Sequence, residues 1–352
     1  MTDWRTIFHE QARWCETMGA PFMALLCDAL PGALTGDADF SRRIREWPGD
    51  EAHATKDALV MRVTGALNAV RRAGRLPQLD ALYPPAAMPG RDQLAAALKA
   101  AIASVDADLL PWLGSAPQTN EVGRSGALMP GLMTIAAETG LTIRLFEVGA
   151  SAGLNLRLDD YAYDFGGLKM GNRSSAVRIR PIWRGMQPPA AEVRITERRG
   201  VDLNPLDVTD EATRAALMAY VWPDQQERVT RLEAALARAA ADPPPIDRGD
   251  AAAWTERHLH PAPGTVTVLM HSVALQYFPA DSQRRIHDHM TRIGNTAPAD
   301  APLAWLSYEM AEVGKPMHVD LTLWPAGEKR LLGLTHPHGT EIEWRHAASP
   351  KN

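Results

Sequence analysis

Residues 142–157 read Thr-Ile-Arg-Leu-Phe-Glu-Val-Gly-Ala-Ser-Ala-Gly-Leu-Asn-Leu-Arg. Ile143, Leu145, Phe146 and Val148 make a short apolar run, as a buried strand does, with one acid, Glu147, near its end. The run breaks into Gly149-Ala150-Ser151-Ala152-Gly153, and Leu154, Leu156 and Leu158 then predict a helix. Strand, small-residue loop, helix is how an α/β sheet offers a helix N-terminus to an anionic or polar ligand. Gly149 and Gly153 allow close approaches that a Cβ would block. The loop is not G-x-G-x-x-G, so the dinucleotide fingerprint of a nicotinamide enzyme is not met. Two chemistries fit the stretch: the glycine loop of a nucleotide-type Rossmann domain, or a G-x-S-x-G elbow with Ser151 as a nucleophile.

Working outward, the chain before this stretch reads as helix after helix, with no period-2 strand ahead of Thr142. The spacing of Ile7, Phe8, Cys15 and Met18, and of Leu59, Val60, Val63, Leu67 and Val70, is helical. Residues 1–140 therefore read as a helical N-terminal domain. A last helix, about 118–139, carries Asn120 and Arg124 on one face; Thr119 or Asn120 caps its start with Glu121 favouring the dipole, and Arg124 is a candidate to hold a carboxylate. After 142, strand and helix alternate four times, followed by a fifth strand (Leu303–Tyr308) and a hairpin over Val319–Trp324 and Arg330–Thr335. That order predicts a doubly wound, mostly parallel Rossmann-like sheet over 141–352, ending in an antiparallel hairpin. Residues 161–199 read as a β insertion rich in basic side chains, a solvated strand face or a patch for an anionic substrate.

Composition bounds the function. The chain has 352 residues with 45% hydrophobic and 22% charged residues, enough for a full core in one large or two ordinary domains. A net charge of −5 argues against general nucleic-acid or acidic-membrane binding. No run of 18 apolar residues and no signal pattern is seen, and the two cysteines, Cys15 and Cys27, read as reduced core residues, so a cytoplasmic protein is expected. The oligomeric state is not legible.

The acids and histidines at predicted strand ends supply the rest of the candidate site. Asp202, after a strand through Val193 and Ile195, stands where a ribose-binding acid belongs. Asp250 follows a third strand, His271 and Ser272 a fourth, and Glu309 a fifth. All of them, with Glu147, are expected around one crevice at the carboxyl ends of the strands. His271, Tyr277, Glu309 and His338 are the catalytic candidates, His271 as a base. The order Ser151, Asp250, His338 is also that of a hydrolase triad. His336 and His338 with Glu309 or His271 have no C-x-x-C or H-E-x-x-H beside them, so no metal is expected.

Two resemblances follow. Glu147-x-Gly149-x-x-x-Gly153 resembles motif I of class I S-adenosylmethionine-dependent methyltransferases, with Ala150-Ser151-Ala152 in place of the usual middle glycine. Residues 147–156, Thr119-Asn120-Glu121 with Arg124, Gly200–Pro205, Trp222–Gln225 and His338-Gly339 together are similar to an uncharacterised bacterial family, domain of unknown function 2332. The methyltransferase resemblance implies S-adenosylmethionine as cofactor and a small-molecule acceptor. It also implies that Gly149, Ala150, Ser151 and Gly153 contact the cofactor, that Asp202 takes the ribose and Asp250 the adenine edge, and that Arg124 or Glu147 takes the methionine end. A serine hydrolase and a non-catalytic binding or assembly protein on the same scaffold are the alternatives.

Overall fold

The protein is described here from a computed structural model, over residues 3–312 and 314–346. Eight helices come first: α1 (Arg5–Thr17), α2 (Pro21–Ala33), α3 (Asp39–Arg45), α4 (Glu51–Lys56), α5 (Leu59–Arg72), α6 (Pro77–Asp80), α7 (Arg91–Ser104) and α8 (Asp106–Leu113). Then α9 (Ser125–Thr139) leads into β1 (Thr142–Val148). The insertion supplies β2 (Ala162–Phe165), β3 (Leu168–Gly171), β4 (Arg178–Ile179) and β5 (Ile182–Gly185), and β6 (Ile195–Asp202) follows. The rest is α10 (Glu211–Ala219), α11 (Gln226–Ala241), β7 (Ile246–Arg248), α12 (Ala251–His258), β8 (Thr265–Ser272), α13 (Ala280–Gly294), β9 (Leu303–Met310), β10 (Met317–Trp324), β11 (Lys329–Thr335) and β12 (Glu341–Trp344).

The chain divides into two compact units, residues 1–119 with 211–230, and residues 120–210 with 231–352. Helical spacing sets the expected boundary at 140; in these two units α9 belongs with the sheet and 211–230 with the first eight helices. The reason for the second placement is polar as well as apolar. Asn68 on α5 donates to the carbonyls of Ala219 and Val221 at 3.0 and 3.3 Å, and Asp224 accepts from the Phe22 and Met23 N–H groups at 3.0 and 3.4 Å, capping α2. Gly65 leaves room for the Tyr220 ring, which a Cβ there would meet at 2.5 Å. The core of this unit is aliphatic and aromatic, with Phe8, Phe22, Leu26, Leu30, Phe40 and Leu67 almost wholly buried.

The second unit carries a nine-stranded sheet in the order β5-β12-β11-β10-β9-β8-β1-β6-β7. β7, β6, β1, β8 and β9 are parallel, and β10, β11 and β12 form an antiparallel meander. The doubly wound sheet and its closing hairpin are thus as expected, and β12 adds one more antiparallel strand beyond the hairpin. Successive residues point to opposite faces of a strand. Phe146, Val148, Leu269, Leu303 and Trp305 pack with Trp254 of α12 and Ile286 and Met290 of α13. The intervening residues face α9, where Gly131 admits the Leu306 side chain that a Cβ would meet at 2.5 Å.

The insertion makes a small sheet, β3-β2-β4, and lends β5 to the edge of the large one, parallel to β12. Phe165, Trp183 and Trp344 pack in sequence as tilted ring pairs, with centroids 5.1 and 5.9 Å apart, and join the two. Much of the basic character of this region is neutralised: Arg184, Arg194, Arg198 and Arg199 pair with Glu341, Glu192, Asp159 and Asp247. Among the described residues, no helix is long and apolar enough to cross a membrane.

Candidate functional site

The parallel strands run β1, β6, β7 in one direction from the centre and then β8, β9 in the other. The order therefore reverses between β1 and β8. In open α/β sheets the crevice outside the carboxyl ends at such a reversal is where ligands bind.

The glycine loop leaves β1 at this point and turns sharply. Gly149, Ser151 and Gly153 have φ of 68°, 54° and 68°. Added Cβ atoms would meet Ala274 Cβ at 2.5 Å from Gly149 and Pro244 Cγ at 2.6 Å from Gly153. Positive φ and close contact together account for both glycines. The predicted helix after the loop is instead a 3₁₀ segment, Leu154–Asp160, kinked at Arg157. Side chains have taken the carbonyls that an α-helix would use: Tyr161 and Tyr163 hydroxyls donate to Leu154 and Leu158 at 2.6 and 2.7 Å, and Arg198 donates to Leu156 at 2.7 Å. The loop after β1 therefore does not lead into an α-helix, which removes one warrant for anion binding there and the helix that follows a hydrolase elbow.

The loop's own donors are largely spent inside the protein. Ala150 N–H reaches the Val201 carbonyl at 3.1 Å, Gly153 N–H the Ala150 carbonyl at 2.7 Å, and Ser151 N–H the Asp202 carboxylate at 2.9 Å. The other Asp202 oxygen accepts from Asn204 N–H at 2.8 Å. Asn120 accepts from Leu154 N–H at 2.8 Å. Asp202 and Asn120 thus brace the loop, whatever else they contact.

Asn120 and Arg124 do not share a helical face, because α9 begins only at Ser125 and residues 122–124 form a 3₁₀ turn. Gly123 lies against the turn at His338, whose carbonyl a Cβ would meet at 2.3 Å, and this contact bends the chain away from a helix. Arg124 donates to the carbonyls of Pro337 at 3.2 Å and Ser272 at 3.0 Å, and its guanidinium lies 6.0 Å from the Tyr308 ring. It ties three segments together at the carboxyl edge.

Glu147 faces the α9 side and is 1% exposed. Burial, reinforced by the Asp202 charge and only partly offset by Arg124, holds its carboxyl well above the usual range. Its Oε2 has no hydrogen-bond partner, nor do the buried Ser151 Oγ and Asn155 Oδ1. Without a base at Oγ, Ser151 lacks what a serine nucleophile requires.

His271 was expected in the same crevice, but strand alternation puts it on the other face. It pairs in register with Ser307 of β9, so Trp305 and Glu309 flank it. Trp305 Nε1 donates to His271 Nε2 at 2.8 Å. An indole only donates, so Nε2 carries no proton, and Nδ1–H donates to Glu309 Oε1 at 2.6 Å. Both ring nitrogens are occupied and the ring is 1% exposed, which corrects the reading of His271 as a free base. Glu309 Oε1 also accepts from Ala274 and Leu275 N–H at 2.9 and 3.1 Å. Burial raises the Glu309 carboxyl, but the His271 bond and these two N–H donors outweigh it and hold it below the usual range. The loop they secure includes Val273, at φ 51°, a strained conformation for a β-branched residue.

The remaining candidates lie on other segments. Asp250 caps α12 through Ala253 N–H at 2.8 Å and accepts from Ser282 Oγ at 3.3 Å. Tyr277 is 74% exposed. His338 N–H donates to His336 Nδ1 at 3.2 Å, and the two rings meet edge to face at 5.4 Å. Among the described residues, no group of three His, Cys, Asp or Glu side chains is arranged to hold a metal. Sequence reasoning passed over Trp305 and Val273. The period-2 pattern Trp305-x-Ser307-x-Glu309 was visible, but its meaning needed the β8–β9 register. A cavity of about 350 Å³ lies at the opposite, amino end of β9, beside Trp324 and the Glu138–Arg330 pair, and is remote from this chemistry.

No curated protein and no solved structure matches the chain. The family described as an uncharacterized protein conserved in bacteria, domain of unknown function 2332, matches residues 5–344, and the chain belongs to that family.

Proposed function

We propose that the second unit binds an adenosyl cofactor, S-adenosylmethionine, at the carboxyl ends of β1 and β6 and directs its methyl group to a small-molecule acceptor. The observation that carries this reading is the reversal of strand order at β1, with a glycine loop leaving that strand and acids ending β1 and β6. The donor set fits in part. Each Asp202 oxygen accepts one backbone N–H and retains acceptor capacity for a ribose hydroxyl. Glu147 and Asp202 offer acceptors to a cationic ligand end, and Arg124 is a nearby cation for a carboxylate. The bound cofactor supplies an electrophilic methyl group; the chain supplies position and exclusion of water. His271, locked between Trp305 and Glu309, does not serve as a base at this crevice. That observation also favours a second reading, a ligand-binding protein without catalysis.

Calorimetric titration with S-adenosylhomocysteine, S-adenosylmethionine and NAD separates these readings, repeated on Asp202→Asn. Binding of both adenosyl compounds, weakened in the variant, with no response to NAD is expected. No binding of either adenosyl compound overturns the proposal. Binding without turnover across an acceptor panel would favour the second reading.

A further inference from the structure

Residues 177–186 carry β4 and β5, and their facing alternates without a break. Ile179 and Pro181 turn inward onto α9 at Gly126, where a Cβ would meet them at 2.9 and 3.7 Å. Trp183 turns inward between the rings of Phe165 and Trp344. Arg178, Arg180, Ile182, Arg184 and Met186 alternate with these residues, and all five are exposed, Ile182 at 60% and Met186 at 45%. At about 3.3 Å per residue they form a row about 26 Å long. The packed inner residues hold the row in place.

Both the charge and the backbone of this row are open to a partner. Residues 161–191 hold one acid, Asp164, against Lys169, Arg173, Arg178, Arg180 and Arg184, in a chain whose net charge is −5. Asp164 accepts from Gly167 N–H at 2.7 Å. Arg184 pairs with Glu341 at 2.7 Å, but Arg178 and Arg180 have no ion pair or hydrogen bond among the described residues. β5 closes one end of the nine-stranded sheet, with β12 as its neighbour there. Ile182 and Met186 N–H groups reach the Thr340 and Trp344 carbonyls at 2.8 and 2.9 Å, so the backbone groups of Trp183, one residue on, point to the open side. An open edge of this kind is a template for one more strand.

We infer that this row docks an extended, acidic segment of a partner protein. The segment adds to the open edge of β5, sets carboxylates against Arg178 and Arg180, and lays apolar side chains on Ile182 and Met186. The two-residue period of the row is that of an extended peptide, whose alternate side chains share one face. A single strand of nucleic acid would find cations here but no stacking surface, because Trp183 is turned inward. A second copy of this chain, paired edge to edge, would bring arginine against arginine. An anionic bilayer would engage the charge and the two apolar side chains but leave the backbone edge unpaired.

The test pans a phage-displayed random dodecapeptide library on the full-length protein, then titrates the recovered peptides, made with a fluorophore, by anisotropy. The expected peptides alternate acids with apolar residues at period two. Arg178→Glu combined with Arg180→Glu should weaken them about tenfold or more, and Ile182→Asp should do so independently, both at an unchanged melting temperature. Methylating alternate backbone nitrogens of a peptide should abolish binding in one register and spare it in the other, a readout that needs no protein variant. Recovery of no peptide that binds below about 1 mM overturns the inference, as do peptides that bind the variants like wild type or tolerate methylation in both registers. Oligothymidylate or phosphatidylglycerol vesicles that bind more tightly than the peptides at equal salt, and are lost in the charge-reversed variant, overturn it in favour of nucleic acid or membrane.

Discussion

Removing the Glu309 side chain tests whether the loop after β8 is held as described. Glu309→Ala leaves three donors without their acceptor: His271 Nδ1–H and the N–H groups of Ala274 and Leu275. Hydrogen bonds to a charged acceptor contribute about 1.5–3 kcal/mol each, and three sharing one oxygen belong at the low end. Release of the strained Val273 returns on the order of 1 kcal/mol. The expected net loss is about 3 kcal/mol. In a unit of roughly 200 residues this lowers the melting temperature by about 6–12 °C. The carboxyl is held below its unfolded value, so its contribution is present above the ordinary carboxyl range and fades as pH falls through and below that range. Thermal melts of wild type and Glu309→Ala at pH 7 and pH 3.5 should therefore show a wide gap at the first and a narrower one at the second. A gap under about 2 °C at pH 7, or one of equal width at both, would refute the reasoning.

Two further outcomes follow from the loop after β1. Gly153→Ala forces a Cβ to within 2.6 Å of Pro244 at φ 68°, so it should cost roughly 2–3 kcal/mol and raise amide hydrogen exchange at residues 150–155; unchanged exchange would contradict the packing. Glu147 has the opposite linkage to Glu309: its folded carboxyl binds a proton that the unfolded chain releases, so wild type loses stability as pH rises above the ordinary carboxyl range. Glu147→Gln cannot ionise, so it should gain on wild type in denaturant titrations between pH 5 and pH 8. A constant difference across that interval would show the acid to be paired after all.

The alternation of apolar runs along the sequence carried the doubly wound sheet, the strand that bears the glycine loop and the closing hairpin, because period and order are local properties. What it could not carry was facing. Glu147 and His271 both end predicted strands, yet one side chain faces α9 and the other α13, and only the β1–β8 register, Glu147 opposite Met270, separates them. The 3₁₀ segment was hidden for a related reason. Leu154, Leu156 and Leu158 suit a helix, but Tyr161, Tyr163 and Arg198 claim its carbonyls from later in the chain. The placement of 211–230 likewise rests on Asn68 and Asp224, whose partners lie about 150 and 200 residues away.

These polar side chains share a pattern that bears on function. Asp202, Asp224, Asp250, Glu309 and Asn120 each accept backbone N–H groups, and each holds a loop or a helix start. Structural duty of this kind explains an acid or amide in such a place without a ligand. Glu147 does not fit the pattern: it lies near the end of β1, burial holds its carboxyl well above the usual range, and its Oε2 has no hydrogen-bond partner. A buried polar group costs stability unless something meets its hydrogen-bonding need. At the point where the strand order reverses, that unmet need is the feature that a water or a bound ligand would satisfy, and it makes Glu147, ahead of His271 or Ser151, the side chain from which the site's chemistry is best pursued.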